Sequence, residues 1–264
     1  MGSWLCSKLW DLGFEVIAGD KRQGSDLKTL ARNCQIIILS VPFQNLRAVM
    51  EEMSPFIKEE TLVMDIGSIK EPPLKIMLEL SPGPVVGTHP LFGPESFNSP
   101  DLKVVICPGR GERAVALAMS LWEKLGCETL VLSAEEHDRI MGIAQGVFHF
   151  SYLVMAKLLS HIGPKDRNIL KTASTSNFQM LLKRIQSIFS QPSWLFGDIL
   201  FENRYSALWI KRFLGEGEAF LEMLLRHEVQ SYLRLFQTLK EVFNDEGDMG
   251  QDKQLAQRPG VNSH

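Results

Sequence analysis

The chain has 264 residues, of which 45% are hydrophobic and 22% charged, and its formal net charge is -3. Such a chain can bury a real core and is long enough for one large domain or two ordinary ones. Its slightly acidic balance argues against a nucleic-acid surface, and its apolar runs are too short for us to expect a membrane span. Without a basic and apolar leader at the N-terminus, a cytoplasmic enzyme or binding protein is the expectation.

Short apolar runs rich in valine and isoleucine recur through the first half of the chain. They lie at 14–20, 35–42, 61–68, 84–90, 103–109 and 128–133. Their apolar character is continuous rather than alternating, which is typical of strands covered on both faces. Segments with helical periodicity separate several of them, so the order predicts an α/β fold with a Rossmann-like, doubly wound parallel sheet.

The pattern becomes helical after Ser133. Ser133 and Glu136 fit a capping box, and the helix that they begin can run to about His161. Further helical patterns cover 166–190, 192–203 and 205–243, with Gly215 and Gly217 as weak points in the last. We therefore expect an α/β domain over residues 1–134, an all-helical domain over 135–244 and a disordered tail over 245–264.

The residues that follow the apolar runs are candidates for ligand binding, because open α/β sheets bind ligands at the carboxyl ends of their strands. Asp20 ends the first run, where a dinucleotide-binding domain places its ribose hydrogen-bond acceptor, although a solvated turn aspartate fits equally well. Gly2 stands where the third glycine of G-x-G-x-x-G would open a helix, while the first strand and the first two glycines are missing. We therefore expect the natural chain to be roughly ten residues longer at its N-terminus. The added residues would form an apolar strand that ends in G-x-G just before Met1.

A stripe of side chains on the helix after Ser133 also suggests a pocket. His137, Met141, Gln145 and His149 recur at four-residue intervals and so share one face. Gln145 and His149 lie in an otherwise apolar segment and need partners if they are buried. A single histidine there is more often a satisfied core residue, but two polar residues one turn apart favour a ligand pocket.

Six short motifs, in this order along the chain, carry a family resemblance. They are SVP at 40–42, DIGSIKEP at 65–72, GTHPLFGPE at 87–95, EEHD at 135–138, QGVFHF at 145–150 and FENR at 201–204. With them the chain resembles the prephenate/arogenate dehydrogenases of tyrosine biosynthesis from Gly2 to about Phe243. The resemblance implies a dinucleotide-binding domain followed by an all-helical dimerisation domain. Some relatives also carry a chorismate-mutase-like region or a regulatory domain; we recognise neither in this sequence, and we therefore expect a monofunctional enzyme.

The resemblance also implies roles for particular residues. His89 would take the proton of the substrate hydroxyl, which suits a side chain with an ordinary pKa of about 6.5. Ser68 would hydrogen-bond near His89 and the substrate, or cap the following helix instead. Arg204 would bind a substrate carboxylate, and Gln145 and His149 would line the pocket, where Gln145 departs from the commoner serine. His137 and Asp138 are expected to be structural or to support the site from outside.

The residues expected to contact the cofactor are Gly2, Asp20, Arg22, Ser40, Val41, Pro42 and Ser68.

The implied reaction is oxidative decarboxylation of prephenate to 4-hydroxyphenylpyruvate with NAD. Three alternatives stay open: an arogenate dehydrogenase, another dehydrogenase of the β-hydroxyacid type, and a catalytically silent nucleotide-binding dimer. Asp20 favours NAD, whereas Lys21 and Arg22 could accept the 2′-phosphate of NADP. We expect no metal site and a homodimer formed through helices 177–190 and 205–243. The apolar positions that suggest the dimer are Phe220, Leu221, Leu224, Leu225, Tyr232, Leu233 and Phe236.

Overall fold

A computed structural model of the chain describes residues 1–20, 24–93, 96–97 and 99–245. The predicted cofactor residue Arg22 and the predicted tail beyond residue 245 lie outside this part of the chain. The contacts divide the chain into two compact units, Met1–Lys211 and Arg212–His264. The domain boundaries at residues 134 and 244 stay a prediction.

The first unit contains one sheet of five strands in the order β1-β2-β3-β4-β5. The strands are β1 Ile36–Leu39, β2 Leu62–Asp65, β3 Val85–Pro90, β4 Leu102–Arg110 and β5 Cys127–Val131. All neighbouring pairs are parallel except β3 and β4, which are antiparallel. The expectation of a wholly parallel sheet is wrong for that pair, because only the eleven residues 91–101 connect β3 to β4, whereas a parallel return requires a crossover of about a dozen residues or more.

Helices cover both faces of this sheet, as predicted. They are α1 Gly2–Asp11, α2 Leu27–Asn33, α3 Phe43–Met53, α4 Glu71–Leu80 and α5 Glu112–Lys124, with a 3-10 turn at Ser54–Phe56. Val63 of β2 belongs to a buried cluster with residues of α2, α3 and α4. Its neighbours Leu62 and Met64 point to the other face, into a cluster with residues of α1 and α5. This alternation gives the doubly wound, Rossmann-like layer.

The predicted strand at 14–20 is wrong. The structure has no regular element there, and Ile17 is 50% exposed. Within the described residues β1 hydrogen-bonds only to β2, so no neighbouring ladder takes up the backbone of 14–20. A strand without a paired neighbour gains nothing from its β-branched residues, and this segment stays irregular.

The rest of the first unit is helical. It comprises α6 Ala134–Met141, a π-helical turn Gly142–Val147, α7 Phe148–Ser160, α8 Pro164–Thr172, α9 Ser176–Phe189, α10 Ser193–Gly197, a second π-helical turn Asp198–Glu202, and the start of α11 Arg204–Leu225. The predicted capping box of Ser133 and Glu136 is present. A Cβ on Gly146 would lie 2.5 Å from Ser206 Oγ, and one on Gly142 would lie 2.9 Å from Tyr205 Cβ. The two glycines therefore allow α11 to approach the π-helical turn.

The second unit consists of the remainder of α11 and of α12 Val229–Asp245. The expectation of weak points at Gly215 and Gly217 is wrong, since both lie inside α11. A glycine in a helix interior costs about 1 kcal/mol and does not by itself end the helix. The break occurs instead at His227, whose φ of 53° lies in the left-handed region.

One continuous helical run, Ala134–Ser160, is long and apolar enough to cross a membrane by length and composition, contrary to our expectation from the sequence. The same run carries His137 and Asp138, which are buried and hydrogen-bonded to residues that flank the sheet. Polar side chains paired in this way are typical of a helix that packs inside a protein.

The four cysteines are free thiols. Burial raises the pKa of Cys107 to about 12 and that of Cys127 to about 11. Cys34 is half-buried. A thiol with a raised pKa stays protonated at neutral pH and is a poor nucleophile.

Candidate active site

His89 lies near the carboxyl end of β3 and is 2% exposed. Its Nδ1 is 2.8 Å from Nε2 of His137, and its own Nε2 is 3.4 Å from Nε2 of Gln145. Burial, followed by the charges of His137 and Lys70, holds the pKa of His89 well below its usual value of 6.5. His89 is therefore neutral at physiological pH and can accept a proton.

The imidazole of His137 connects His89 to a buried carboxylate. His137 Nδ1 is 2.7 Å from Oδ1 of Asp138, and both side chains are buried. Burial lowers the pKa of His137, and the hydrogen bond to Asp138 opposes that effect. The sequence predicted only a structural or supporting role here, whereas the structure places His137 in direct contact with His89.

Asp138 also caps a helix of the α/β layer. Its Oδ1 accepts the backbone N–H of Lys70 and its Oδ2 that of Glu71, each at 2.8 Å. The N-cap residue of α4, Lys70, supplies no side-chain acceptor for these amides. The carboxylate of α6 therefore satisfies donors at the start of α4 that would otherwise be buried without partners.

A buried lysine ties together the strand ends beneath His89. Lys70 Nζ forms an ion pair with Asp65 at the end of β2 and donates to the carbonyl of Thr88 at 2.8 Å. A Cβ on Gly87 would lie 3.1 Å from Lys70 Cδ, so the glycine leaves room for this side chain. Desolvation raises the pKa of Asp65, and Lys70 counteracts the rise. The lysine of DIGSIKEP was the available signal for this pair, but the motif alone does not indicate burial.

Gln145 and His149 present buried polar atoms without protein partners. Gln145 Oε1 and His149 Nδ1 have no hydrogen bond within the described residues. Gln145 lies in the π-helical turn, a feature that is frequent at functional sites. Burial, and next the charge of Arg184, lowers the pKa of His149 to about 4, and its ring centroid is 4.9 Å from that of Phe196. Unsatisfied buried atoms of this kind favour the predicted ligand pocket.

Ser68 hydrogen-bonds neither to His89 nor to the start of α4 in the structure. It is half-buried, and within the described residues its hydroxyl makes no hydrogen bond. The helix-cap alternative is wrong, because α4 begins at Glu71 with Lys70 as its N-cap. The two ring nitrogens of His89 face His137 and Gln145 instead. A contact of Ser68 with substrate or cofactor stays a prediction.

Arg204 is the first residue of α11, and its side chain is 60% exposed. Its Nε and Nη2 each donate to a carboxylate oxygen of Glu71 at 2.9 Å, and Nη2 also contacts Glu135 at 3.3 Å. The side-chain hydrogen bond to Glu71 raises the pKa of Arg204. A cleft of about 740 Å³ lies beside this group, lined by residues that include Glu71, Glu135 and Arg204 but not His89. Binding of a substrate carboxylate by Arg204 stays a prediction.

Gly2 and Ser40, both predicted to contact the cofactor, are neighbours. A Cβ on Gly2 would lie 2.9 Å from Ser40 Oγ, so α1 begins directly beside the end of β1. The N-terminus of α1 has no side-chain cap. An open helix N-terminus next to a strand end fits a phosphate group.

The other predicted cofactor residues flank this point. Asp20 is half-buried, and its backbone N–H donates to Ser25 Oγ at 2.9 Å. Val41 and Pro42 are half-buried and lead into α3, whose Phe43 N–H donates to Asp198 at 3.2 Å. These positions agree with a dinucleotide bound beside the end of β1.

Comparison with known proteins agrees with these observations. The prephenate dehydrogenase nucleotide-binding domain matches residues 10–131, and the prephenate dehydrogenase dimerization domain matches residues 133–241. The T-protein of Enterobacter agglomerans is 29% identical over 238 residues, covering 88% of this chain and 62% of the relative. A probable arogenate/prephenate dehydrogenase of Methanocaldococcus jannaschii is 27% identical over 270 residues, covering 95% of this chain and 60% of the relative. The chain thus spans less than two thirds of the length of these relatives.

A solved structure has the same fold. It is the prephenate dehydrogenase of Aquifex aeolicus in complex with hydroxyphenyl propionate and NAD+, with a TM-score of 0.68 and 20% identity over 92% of this chain and 85% of that one. At this identity the likeness concerns the fold alone. The two domain models, which together match nearly all of the chain up to residue 241, establish the family. The chain belongs to the prephenate dehydrogenase family.

Proposed function

We propose that the chain oxidises and decarboxylates prephenate to 4-hydroxyphenylpyruvate, with NAD as the hydride acceptor. The observation that carries the proposal is His89, a buried and neutral imidazole near the end of a central strand. The names of the relatives and the NAD+ bound to the Aquifex aeolicus protein support the choice of reaction and cofactor.

The residues at the end of β1 would hold the cofactor. Gly2 and the amides of α1 would receive its phosphates, and the Asp20 carboxylate would bind the ribose hydroxyls. Ser40, Val41 and Pro42 would border the nucleotide where β1 leads into α3. When bound, NAD supplies the acceptor for the hydride from the ring carbon that carries the hydroxyl.

His89 would manage the proton of the substrate hydroxyl. As carbonyl character develops at the ring carbon, the hydroxyl proton passes to the unprotonated ring nitrogen of His89. Loss of the ring carboxylate as CO₂ leaves its bonding electrons to complete the aromatic ring. The oxygen becomes a phenolate that recovers the proton from His89, so the reaction needs no net proton. A lowered pKa keeps His89 ready to accept at neutral pH.

The substrate would be held by polar atoms that lack protein partners. Gln145 Oε1 and His149 Nδ1 are two such atoms on one face of the same helical run. Arg204 would bind a substrate carboxylate by exchanging Glu71 for it, since Glu71 already occupies both arms of the guanidinium fork. After this exchange, Arg204 at the start of α11 would contact the substrate.

A second candidate substrate is arogenate, which would give tyrosine. The double name of the Methanocaldococcus jannaschii relative favours keeping it. Prephenate and arogenate share the ring and its carboxylate and differ in a keto or amino group of the side chain. Steady-state assays with each substrate and with NAD and NADP separate the four combinations. A chain that binds NAD but oxidises neither substrate would refute the proposal.

We further propose that the chain is a cytoplasmic homodimer. The dimerization-domain match covers residues 133–241, which include the whole of α11 with its exposed apolar side chains and α12 up to residue 241. Leu221, Leu224, Leu225, Leu233 and Phe236 each expose more than half of their surface, which is costly for a monomer in water. Light scattering at micromolar concentration should give twice the mass of one chain, and a stable monomer would contradict the dimer.

A further inference from the structure

A chain of three buried side chains joins the N-terminus of α4 to His89. The backbone N–H groups of Lys70 and Glu71 donate to Asp138, Asp138 contacts His137, and His137 contacts His89. From this geometry we propose that His137, oriented by Asp138, is a positioning residue that fixes the proton of His89 on Nδ1 and leaves Nε2 as the proton acceptor. The inference deepens the proposed function and rests on it.

The direction of the hydrogen bonds begins at Asp138. Backbone amides can only donate, and two of them bind the two oxygens of this side chain at the start of a helix. Both oxygens of the carboxylate therefore face donors at the positive end of the α4 dipole. A carboxylate has only acceptors to offer, so the hydrogen in the 2.7 Å contact must sit on His137 Nδ1.

The assignment at His137 decides the one at His89. Burial lowers the pKa of His137, so the ring is neutral and carries one hydrogen, which Nδ1 holds. Its Nε2 can then only accept, and the 2.8 Å contact requires a hydrogen on His89 Nδ1. His89 is neutral as well, and its Nε2 is left with a lone pair.

The surroundings of His89 agree with this tautomer. The side-chain amide nitrogen of Gln145 lies 3.4 Å from its Nε2, which places a donor against a lone pair. The contact is long, so a substrate hydroxyl can replace it. The ammonium of Lys70, paired with Asp65 beneath the strand ends, opposes a second proton on either ring.

The consequence for catalysis follows from the chemistry of imidazole. A free histidine places its single hydrogen mostly on Nε2, and in that tautomer His89 has no lone pair to offer the substrate. A fixed tautomer is what a buried carboxylate gives the catalytic histidine of a serine protease. Here a second imidazole would stand between the two groups and transmit the same constraint.

Histidine side-chain NMR tests the inference without any substrate. Long-range proton–nitrogen correlation distinguishes Nδ1–H from Nε2–H rings, and the chain has only six histidines to assign. We expect the Nδ1–H pattern for both His89 and His137 in the unmodified protein. An Nε2–H pattern at His89 would overturn the proposal whatever the activity of the enzyme.

Variants connect the tautomer to turnover. His137→Phe should move the His89 hydrogen to Nε2 and lower kcat by about 10²–10⁴, the usual contribution of a general base, while NAD affinity stays unchanged. His137→Gln should restore most of the turnover, because its amide can donate to Asp138 and accept from His89. Replacing the exposed His161 at the end of α7, as His161→Phe, is the control and should leave kcat unchanged.

Asp138→Asn provides a second route if His137→Phe does not fold. An amide cannot accept at every position that the carboxylate fills, so one of its hydrogens turns toward a backbone N–H or toward His137. If the amide hydrogen turns toward His137, the ring hydrogens of both His137 and His89 move from Nδ1 to Nε2. The NMR pattern then changes and kcat falls. A His137→Phe enzyme with native kcat would refute the positioning role, as would an Asp138→Asn enzyme that keeps native kcat although its His89 shows the Nε2–H pattern. Unmodified protein inactive on both substrates would instead refute the proposed function and leave the NMR result to stand by itself.

Discussion

The buried imidazole of His149 should make the stability of the chain depend on pH. Its Nδ1 has no hydrogen-bond partner within the described residues, and burial with the nearby Arg184 lowers its pKa from 6.5 to about 4. The unfolded chain has no such environment, so His149 titrates there near 6.5. At a pH between these two pKa values, His149 is protonated in the unfolded chain and neutral in the folded chain.

The sign and size of the effect follow from these two values. Stability is fully present above pH 6.5 and is lost as the pH falls toward 4, because protonation then favours the unfolded chain. A pKa lowered from 6.5 to about 4 corresponds to up to about 3 kcal/mol in the free energy of unfolding. This is a large fraction of the ~5–15 kcal/mol by which domains are stable.

Urea unfolding of the unmodified chain and of His149→Gln, at several pH values from 7 to 4, measures the contribution. The other buried histidines titrate in both proteins and cancel in the difference between the two unfolding free energies. That difference should change by up to about 3 kcal/mol over the window, with the unmodified chain losing more. Arg184→Gln should raise the pKa of His149 in the folded chain, because the charge of Arg184 contributes to lowering it. The pH range over which stability is lost should then be narrower. Parallel curves for the unmodified chain and His149→Gln would show that His149 is solvated when folded and would refute the reasoning.

Four further outcomes are expected. His89→Asn should lower kcat by ~10²–10⁴ with little change in NAD affinity, and near-normal turnover would exclude His89 as the base. Arg204→Ala should raise KM for substrate only modestly, because the guanidinium is exposed and paired; an unchanged KM with reduced thermal stability would mean a structural role. Gly146→Ala should destabilise the chain by about 1–3 kcal/mol in thermal unfolding, whereas Gly163→Ala, with open space around its Cα, should not. Leu224→Glu should convert the dimer to a monomer in light scattering, and an unchanged mass would move the interface elsewhere.

Much of the architecture could be predicted because it depends on local pattern. The apolar runs of β2 and β3 are buried along their whole length, and the periodicity after Ser133 continues as helix. Cover on both faces is wrong for β5, where Leu130 and Val131 are 52% and 42% exposed. Strand direction could not be predicted in the same way, since it depends on the connection between β3 and β4 rather than on either strand. The run at 14–20 has strand composition, but pairing with a neighbour decides whether such a run becomes a strand.

The site was predicted unevenly for a similar reason. His89 could be found, because its motif and its place after an apolar run agree. Gln145 could be found by its polarity on an apolar helix. The role of Asp138 could not be predicted, because it depends on contacts between residues more than 60 positions apart. The role of Lys70 depends on its burial, which the sequence of a charged side chain does not indicate. Sequence patterns report the period of an element and not what lies across from it.

The arrangement around Asp138 explains how a helical segment and a sheet can together form the proposed active site. The Asp138 carboxylate binds the start of α4, its backbone carbonyl accepts the Asn203 side chain at 2.8 Å, and Gly146 admits the neighbouring turn of α11. Each contact fixes α6 or the π-helical turn against a neighbouring element. His137 and Gln145 belong to this fixed segment, and both face the ring of His89. A displacement of the helix by a few tenths of an ångström would therefore change both hydrogen bonds of the proposed base, and this dependence ties helix packing to proton transfer.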